Sequence, residues 1–423
     1  MVRPVVSARD GLVLTHIFDL VRTGRARTRA ELGDMTGLGR TIINDRLQEG
    51  MELGLLAEGD LVPSGGGRPS RTVRFRSEAG LLLGASLGAM ECRVGLATLD
   101  GELLATEVAD LDISGEPDSV LGRVNEMFED LLARAPKGRA PVWGIGIGVP
   151  GPVDFRTGRV VAPPSMPGWD GFEIRGWFRS RYEAPVWVDN EVNLMAFGEW
   201  DRAEPDDSRD LLFVKVGTGI GSGLVAGGRL HRGVSGAAGD IGHIRVTDDP
   251  QAICRCGKTG CLEAVASGWA LVRQLTAAAE SGESSFLAAR LAKRGRLTSE
   301  DIGDAAASGD PSAGEAVARG AAQVGRTVAG IVNFANPGRL VLGGGVLRIG
   351  DLFFETFRDC VLEGAIELAS RGLSIRKASL NFDEGVYGAV SLAMHRLFNR
   401  DALNVWITNG SPVGSAIRLQ RAS

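Results

Sequence analysis

Three of the five cysteines and one of the four histidines fall between Asp240 and Glu263, in DIGHIRVTDDPQAICRCGKTGCLE. His243, Cys254, Cys256 and Cys261 form a compact set of one imidazole and three thiols. A closed set of four such ligands suits tetrahedral zinc in a structural role, because no position is left for a substrate. Gly257 and Gly260 allow the tight turn that aims Cys256 and Cys261 at one point. The alternative is a group of buried or reactive thiols on a Gly-rich loop. Cysteine is scarce elsewhere, which favours the metal. An ion here staples a long loop and holds whatever flanks its ligands, and Asp240 and Glu263 flank them.

These residues need a large scaffold. The chain has 423 residues, more than one ordinary core accommodates, so two or three domains are expected. Hydrophobic content of 44% with 23% charged residues is that of a soluble globular protein. No apolar run has the length of a membrane span. Asp10, His16 and Asp19 interrupt the N-terminal apolar stretch, so no secretory signal is read there. A cytoplasmic, reducing location is expected, which again favours metal over disulfide. The 60 glycines sit beside high apolar content and suggest tight strand-to-helix turns. Charge is uneven: residues 1–76 hold 12 basic and 9 acidic residues, while the whole chain carries −5. A mildly basic head on an acidic body points weakly to a polyanion partner.

In that head, Leu14, Ile17, Phe18 and Val21 give an amphipathic helix over residues 12–21. Thr28 and Glu31 form a capping box that starts a second helix, which ends near Gly37. A third helix is expected from Gly39 to Gly50. Ile43, Leu47 and Gly50 share its apolar face, and Arg40, Thr41, Asn44, Asp45 and Gln48 share the opposite one. This is a helix-turn-helix with a polar face free for a DNA major groove. Two short strand-like pieces at 55–56 and 61–62, the loop SGGGRPSR and a strand at 72–75 then make a wing. Arg68 is placed to enter a minor groove, and Arg71, Arg74 and Arg76 to meet phosphates. Asn44 and Gln48 suit adenine edges, and Arg40 suits guanine or phosphate. A trihelical protein-interaction module is the competing reading.

In the body, Leu81–Leu87 and Arg93–Thr98 are strands around the turn Gly88-Ala89-Met90. GIGIGVPGPVD ends a strand in a rigid Pro/Gly turn, and KVGTGIGSGL is a strand–turn–strand suited to an anion. Residues 264–330 read as helical, and a long helix from Gly320 stops at Asn336-Pro337. Cys92 and Cys360 are isolated and expected in the core. A helix spans Glu384–Phe398. Residues 401–407 are expected as a short strand or interface segment, and the polar remainder as a loose tail.

The run TRAELGDMTGLGRTIINDRLQEGMELGLL resembles the winged helix-turn-helix that precedes many repressors of the ROK family (repressor, open reading frame, kinase). Gly39 stands where that family usually has a Ser cap. GIGIGVPGPVD, DNEVN, VGTGIGSGL, GAAGDIGH, CRCGKTGCLE and NPGRLVLGGGV follow in the family's order. The resemblance implies an α/β fold: a two-lobed actin-like sugar-kinase body behind a winged helix-turn-helix. The expected divisions are a DNA-binding domain at 1–76, a small lobe at 78–190 completed by the helix near 384–398, a large lobe at 191–383 with the zinc loop, and a tail at 400–423. It also implies sugar contacts at Asn190, Glu191, Asp240, His243 and Glu263, with His243 shared between zinc and sugar. Gly217, Thr218, Gly219 and Gly344 fall on the family's nucleotide loops.

Departures bear on activity. Family kinases carry Asp and Gly-Gly-Thr where this chain has Ser86 and Gly88-Ala89-Met90, which weakens ATP and magnesium binding. Their catalytic Asp is Glu191 here, and Asp240 replaces a usual Glu. The expectation is a sugar-responsive DNA-binding regulator, acting as a homodimer or homotetramer on operator DNA. The alternative is an ATP-dependent sugar kinase in which Glu191 is the base. Glucose, N-acetylated hexosamines, xylose and chito-oligosaccharides all suit the implied pocket.

Overall fold

The structure, a computed structural model, describes residues 8–62, 70–135, 140–163, 166–204 and 210–422. The chain opens with α1 (Ala8–Arg22), α2 (Arg29–Thr36) and α3 (Arg40–Glu52), then β1 (Leu56–Val62) and β2 (Ser70–Phe75), which pair antiparallel. Thr28 caps α2 as its sequence requires: Glu31 N donates to Thr28 Oγ1 at 3.2 Å and Thr28 N donates to Glu31 Oε2 at 3.2 Å. Gly37 ends the helix at φ 68°. Ile43, Leu47 and Gly50 form the buried face of α3. The two strand-like pieces of the wing are one strand, β1, with a register shift between Glu58 and Leu61. Arg68 lies outside the described residues.

The body contains two five-stranded sheets of the same design. The first comprises β3 (Leu81–Leu87), β4 (Glu91–Thr98), β5 (Leu103–Asp110), β6 (Val142–Val149) and, beyond the small hairpin β7 (Val153–Asp154) and β8 (Arg159–Val160), β9 (Val186–Asn190). The second comprises β10 (Leu211–Val216), β11 (Ile220–Ala226), β12 (Arg229–His231), β13 (Arg339–Gly343) and β14 (Ser374–Lys377). Their orders are β5-β4-β3-β6-β9 and β12-β11-β10-β13-β14. In each, an antiparallel meander is followed by two parallel strands. Parallel pairing needs crossover helices, and these supply the layers.

α4 (Pro117–Arg134) and α5 (Ile174–Tyr182) cover one face of the first sheet, where Leu121, Phe128 and Phe178 meet Ile145 and Ile147. α6 (Glu191–Asp201) lies between the lobes. The helices α7 (Leu262–Ala266), α8 (Gly268–Glu280), α9 (Ser285–Arg294), α10 (Ser299–Ala307), α11 (Pro311–Ala335), α12 (Asp351–Gly364) and α13 (Glu367–Ser370) build the large lobe. α11 starts nine residues before the expected Gly320, with Pro311 in its first turn and Asp310 as cap. It ends as expected before Asn336, at φ 45°. Cys92 is in the core, whereas Cys360 is only partly buried on α12.

α14 (Glu384–Leu397) crosses the other face of the first sheet and packs on α6. The glycines of β6 make this possible. A Cβ on Gly146 would stand 1.9 Å from Ala389 O, and one on Gly388 would stand 1.7 Å from Leu194 O. The alternation in GIGIG therefore has a packing cause: isoleucines face α4 and α5, and the glycines face α14 and α6.

The last segment differs from expectation. Residues 401–407 are not the strand of the first alternative but pack as a segment between head and body, and the remainder is not a loose tail: α15 (Arg400–Trp406) and α16 (Ala416–Ala422) are helical. Trp406 is fully buried, and its Nε1 donates to Leu397 O at 2.9 Å. Its ring lies 5.3 Å from Trp143 and 6.4 Å from Phe18 between centroids. Thr15 Oγ1 donates to Asn404 Oδ1 at 3.3 Å. One core thus joins head residues (Ile17, Phe18, Val73), body residues (Trp143, Trp187, Leu397) and the terminal segment. A few apolar residues on one helical stripe achieve this, so a polar composition concealed it.

Replacing Trp406 with Ala removes a fully buried indole from that shared core. Urea unfolding is expected to show a loss of about 3–5 kcal/mol. Limited proteolysis is expected to release the head before the body.

Candidate functional site

Backbone bonds fold the residue 239–263 region against β11. Ser222 N donates to Gly239 O at 2.8 Å, Val246 N to Gly260 O at 2.8 Å and Leu262 N to Ile244 O at 2.9 Å. The turn Cys254–Lys258 closes through Cys254 N to Lys258 O at 2.8 Å and Gly257 N to Cys254 O at 3.0 Å. This gathers His243, Cys254, Cys256 and Cys261, whose ligand atoms all lie within 4.8 Å of one another. His243 Nδ1 is 3.6 Å from Cys254 Sγ, and the Cys256 and Cys261 sulfurs are 3.8 Å apart. A tetrahedral cage with zinc-length bonds has edges of about 3.6–3.8 Å. The set could hold a metal ion of that size. Burial pushes the Cys254 thiol up to about 12. A bound cation reverses that cost by stabilising thiolate.

His243 turns its other nitrogen away from the thiols: Nε2 lies 3.8 Å from Asp240 Oδ1. Glu263 is buried at the start of α7, where Oε2 accepts from Ile220 N at 3.1 Å. Asn190 ends β9 and caps α6. Its Oδ1 accepts from Val192 N at 2.9 Å and Asn193 N at 3.3 Å, and its Nδ2 donates to Gly151 O at 3.0 Å. Glu191 is the first residue of α6 and is 4% exposed. The five residues expected to meet a sugar thus surround the β10–β11 hairpin, from the β9–α6 junction on one side and the metal-ligand loop on the other.

Two basic residues there had not been singled out. Lys215 Nζ is 2.5 Å from Glu191 Oε2, and Arg255 Nη2 is 3.0 Å from Glu263 Oε1. Arg255 Nη2 also donates to Thr218 O at 3.1 Å. Both were legible as oddities: Lys215 is the charged residue in the strand LLFVKV, and Arg255 separates two ligand cysteines. A charged residue in a strand usually lies on a solvated edge, and that is the ordinary reading of Lys215 from sequence.

On the nucleotide side, the turn at Gly88 is closed by Gly88 N donating to Glu91 O at 2.8 Å. Ser86 is buried and Met90 exposed. Gly217 N donates to Gly219 O at 2.9 Å, which occupies one N–H of the Gly217-Thr218-Gly219 turn. Gly344 has φ 90° and leads into a short 3-10 turn.

On the head, Arg40, Thr41, Asn44 and Gln48 are exposed along one face of α3. Asn44 Oδ1 accepts from Arg29 Nε at 3.2 Å, and Gln48 Nε2 donates to Glu52 Oε1 at 3.0 Å. Glu58 holds both Arg29, at 3.3 Å, and Arg71, at 3.5 Å. Glu78 holds Arg74 at 3.2 Å and Arg76 at 3.3 Å. Arg71, Arg74 and Arg76 are thus paired with glutamates rather than standing free.

Residues 82–396 match the ROK family. The chain belongs to the ROK family. It is 28% identical to the xylose repressor of Caldicellulosiruptor bescii over 90% of this chain and 94% of that protein. It is 32% identical to the glucokinase of Halalkalibacterium halodurans over 72% of this chain and 92% of that one. Among solved structures, a ROK family transcriptional regulator homologous to the E. coli MLC protein superposes with TM-score 0.78 at 24% identity, over 95% of this chain and all of that one. A ROK glucokinase from Streptomyces griseus, solved with glucose and AMPPNP, superposes with TM-score 0.64 at 28% identity, over 74% of this chain and 99% of that one. The α/β, actin-like two-lobed fold with an N-terminal helical head is therefore a ROK family fold, and it superposes on the regulator's along nearly the whole chain. Among the described residues, no helix is long and apolar enough to cross a membrane.

Elemental analysis of the purified protein is expected to find a single metal ion per chain. Cys256→Ser is expected to lose it and to lower the thermal midpoint, with the 254–261 turn becoming accessible to thiol reagents.

Proposed function

We propose that this ROK protein is a sugar-responsive, DNA-binding transcriptional regulator, acting as a repressor. The observation that carries the reading is the extent of the matches. The xylose repressor aligns with 90% of this chain, whereas the glucokinase aligns with 72%. The added length corresponds to a helix-turn-helix head that shares a hydrophobic core with the body.

In this reading residues 1–76 bind DNA, residues 78–190 and the helix near 384–398 form the small lobe, and residues 191–383 form the large lobe. Arg40, Thr41, Asn44 and Gln48 face the major groove, with Arg71 on a phosphate and Arg68 in the minor groove. A two-fold assembly, dimer or tetramer, reads two half-sites of an operator. Zinc is the ion held by His243, Cys254, Cys256 and Cys261, in a structural role. It fixes which nitrogen of His243 faces the cleft. Asn190, Glu191, Asp240, His243 and Glu263 surround the sugar. Sugar binding changes lobe closure, and the head follows because it shares a core with the body. A coupling of about 1–3 kcal/mol suffices to alter operator affinity. A cytoplasmic location goes with such a role.

The second reading, an ATP-dependent sugar kinase with Glu191 as base, is favoured by the likeness to glucokinases over the body. Gly217, Thr218, Gly219 and Gly344 would then meet the nucleotide. Against it stand Ser86 and Met90 at the first phosphate turn, and the pairing of Glu191 with Lys215.

An operator selected from random DNA is expected to bind the full-length, zinc-loaded protein. Arg40→Ala is expected to weaken that binding about tenfold. Hexoses, pentoses or their derivatives are expected to shift operator affinity, and ADP release with ATP, magnesium and the same sugars is expected to stay at background. Turnover on the order of 1–100 per second would establish the kinase reading instead.

A further inference from the structure

We propose that Arg29 sets the base preference of the α3 face: it holds Asn44 so that the amide reads a guanine edge rather than an adenine edge. This rests on the reading of the head as a DNA-binding domain and names what its exposed helix selects.

The contact follows from how α2 crosses α3. Gly33 lets the two helices meet, since a Cβ there would already lie 3.5 Å from Ile43 Cδ1. Arg29 stands one turn before Gly33 on α2, and Asn44 follows Ile43 on α3. Arg29 Nε donates to Asn44 Oδ1 at 3.2 Å. The wing holds the other end of the guanidinium. Val73 N donates to Arg27 O at 2.7 Å, which ties β2 to the residues just before α2. Val73 is in turn paired with Glu58 across the wing. Glu58 Oε1 accepts from Arg29 Nη2 at 3.3 Å, and Glu58 Oε2 lies 3.5 Å from Arg71 Nε. Arg29 is thus held at two points, by α3 and by the wing, before any DNA arrives.

Chemistry dictates which way the amide faces. An arginine N–H can only donate, so the atom of Asn44 turned toward it is the carbonyl oxygen. Nδ2 has no partner among the described residues, and its two N–H donors remain for a ligand. In the major groove adenine presents one acceptor and one donor, N7 and N6–H, and asparagine reads it with both ends of its amide. Here one lone pair of Oδ1 is taken, and a guanidinium stands beside the other. An N6–H donor would approach that positive charge. Guanine presents two acceptors, N7 and O6, which suit the free Nδ2 and the cation next to it. Gln48 differs. Its Nε2 spends one N–H on Glu52 Oε1 at 3.0 Å, which leaves the second N–H and the carbonyl oxygen for adenine. The two amides on one helix face therefore prefer different base pairs.

The test starts from an operator selected from random DNA with the full-length, zinc-loaded protein. Each base pair of one half-site is substituted in turn, and affinity is read by fluorescence anisotropy at one fixed salt concentration. The pair whose substitution weakens the wild-type protein but not Asn44→Ala is the one Asn44 reads. It is expected to be G·C, preferred over A·T by about tenfold. Arg29→Met removes the donor and keeps a good helix former at an exposed position. It is expected to move the preference at that pair to A·T and to leave the other pairs as they were. Glu58→Gln loosens the far end of the guanidinium and is expected to lower the G·C preference without reversing it.

An A·T preference at the Asn44 pair of the wild-type protein would overturn the proposal and leave the DNA-binding reading standing. So would a half-site in which no pair depends on Asn44. Weakening of all sequences alike by Arg29→Met, with the G·C preference intact, would reduce Arg29 to a structural part and overturn the proposal too. A wild-type protein that enriches no sequence would remove both readings.

Discussion

The close approach of α14 to β6 and α6 is the constraint on which the rest depends. Backbone meets backbone there, at Gly146 against Ala389 and Gly388 against Leu194. Side chains larger than hydrogen would push the layers apart. That contact fixes α6, and α6 begins with Glu191 and is capped by Asn190. The same helix α14 runs on into Leu397 and Phe398, which enter the core shared with the head. One packed layer therefore sets both the cleft and the seat of the head. Close packing makes such a layer shift between discrete arrangements rather than flex smoothly.

The cleft is a place of paired charges. Glu191 and Glu263 each meet a cation, and Asn190 is spent largely on capping α6. A general base needs a carboxylate free to accept a proton in the reacting geometry. A carboxylate held at 2.5 Å by an ammonium is poorly suited to that, yet well suited to exchange partners when a ligand arrives. Binding sites tolerate such exchange because they need only differential affinity between states. The metal-ligand loop contributes rigidity: it ties the Asp240–His243 turn and the start of α7 to one point.

On the head, glutamates temper the arginines. Glu58 and Glu78 each hold two of them. In the proposed DNA-binding role, a phosphate would have to displace these exposed pairs, which are individually weak. The head carries only a small positive excess. In that role, base edges met by the α3 face would have more weight against the sequence-independent term than in a strongly basic domain.

Much of this was legible in the sequence because it rests on local rules. The capping box of Thr28 and Glu31, the apolar stripe Ile43–Leu47–Gly50 and the stop at Asn336-Pro337 are each decided within a few residues, and the ligand types from His243 to Cys261 stand in one short stretch. Family resemblance then supplied the two-lobed frame. Other features depend on residues far apart in the chain. Lys215 on β10 meets Glu191 at the start of α6, and Trp406 fills a space left by Phe18 and Trp143; Arg255 and Glu263, though nearer in sequence, meet only once the ligand turn is folded. Nothing near Trp406 in the chain announces that space: residues 401–407 read by themselves as a short strand or an interface segment, with no partner indicated. Local chemistry specifies which elements form and which ligands cluster. Only tertiary packing decides which charges meet, because burial and partner are properties of the assembled core rather than of any segment.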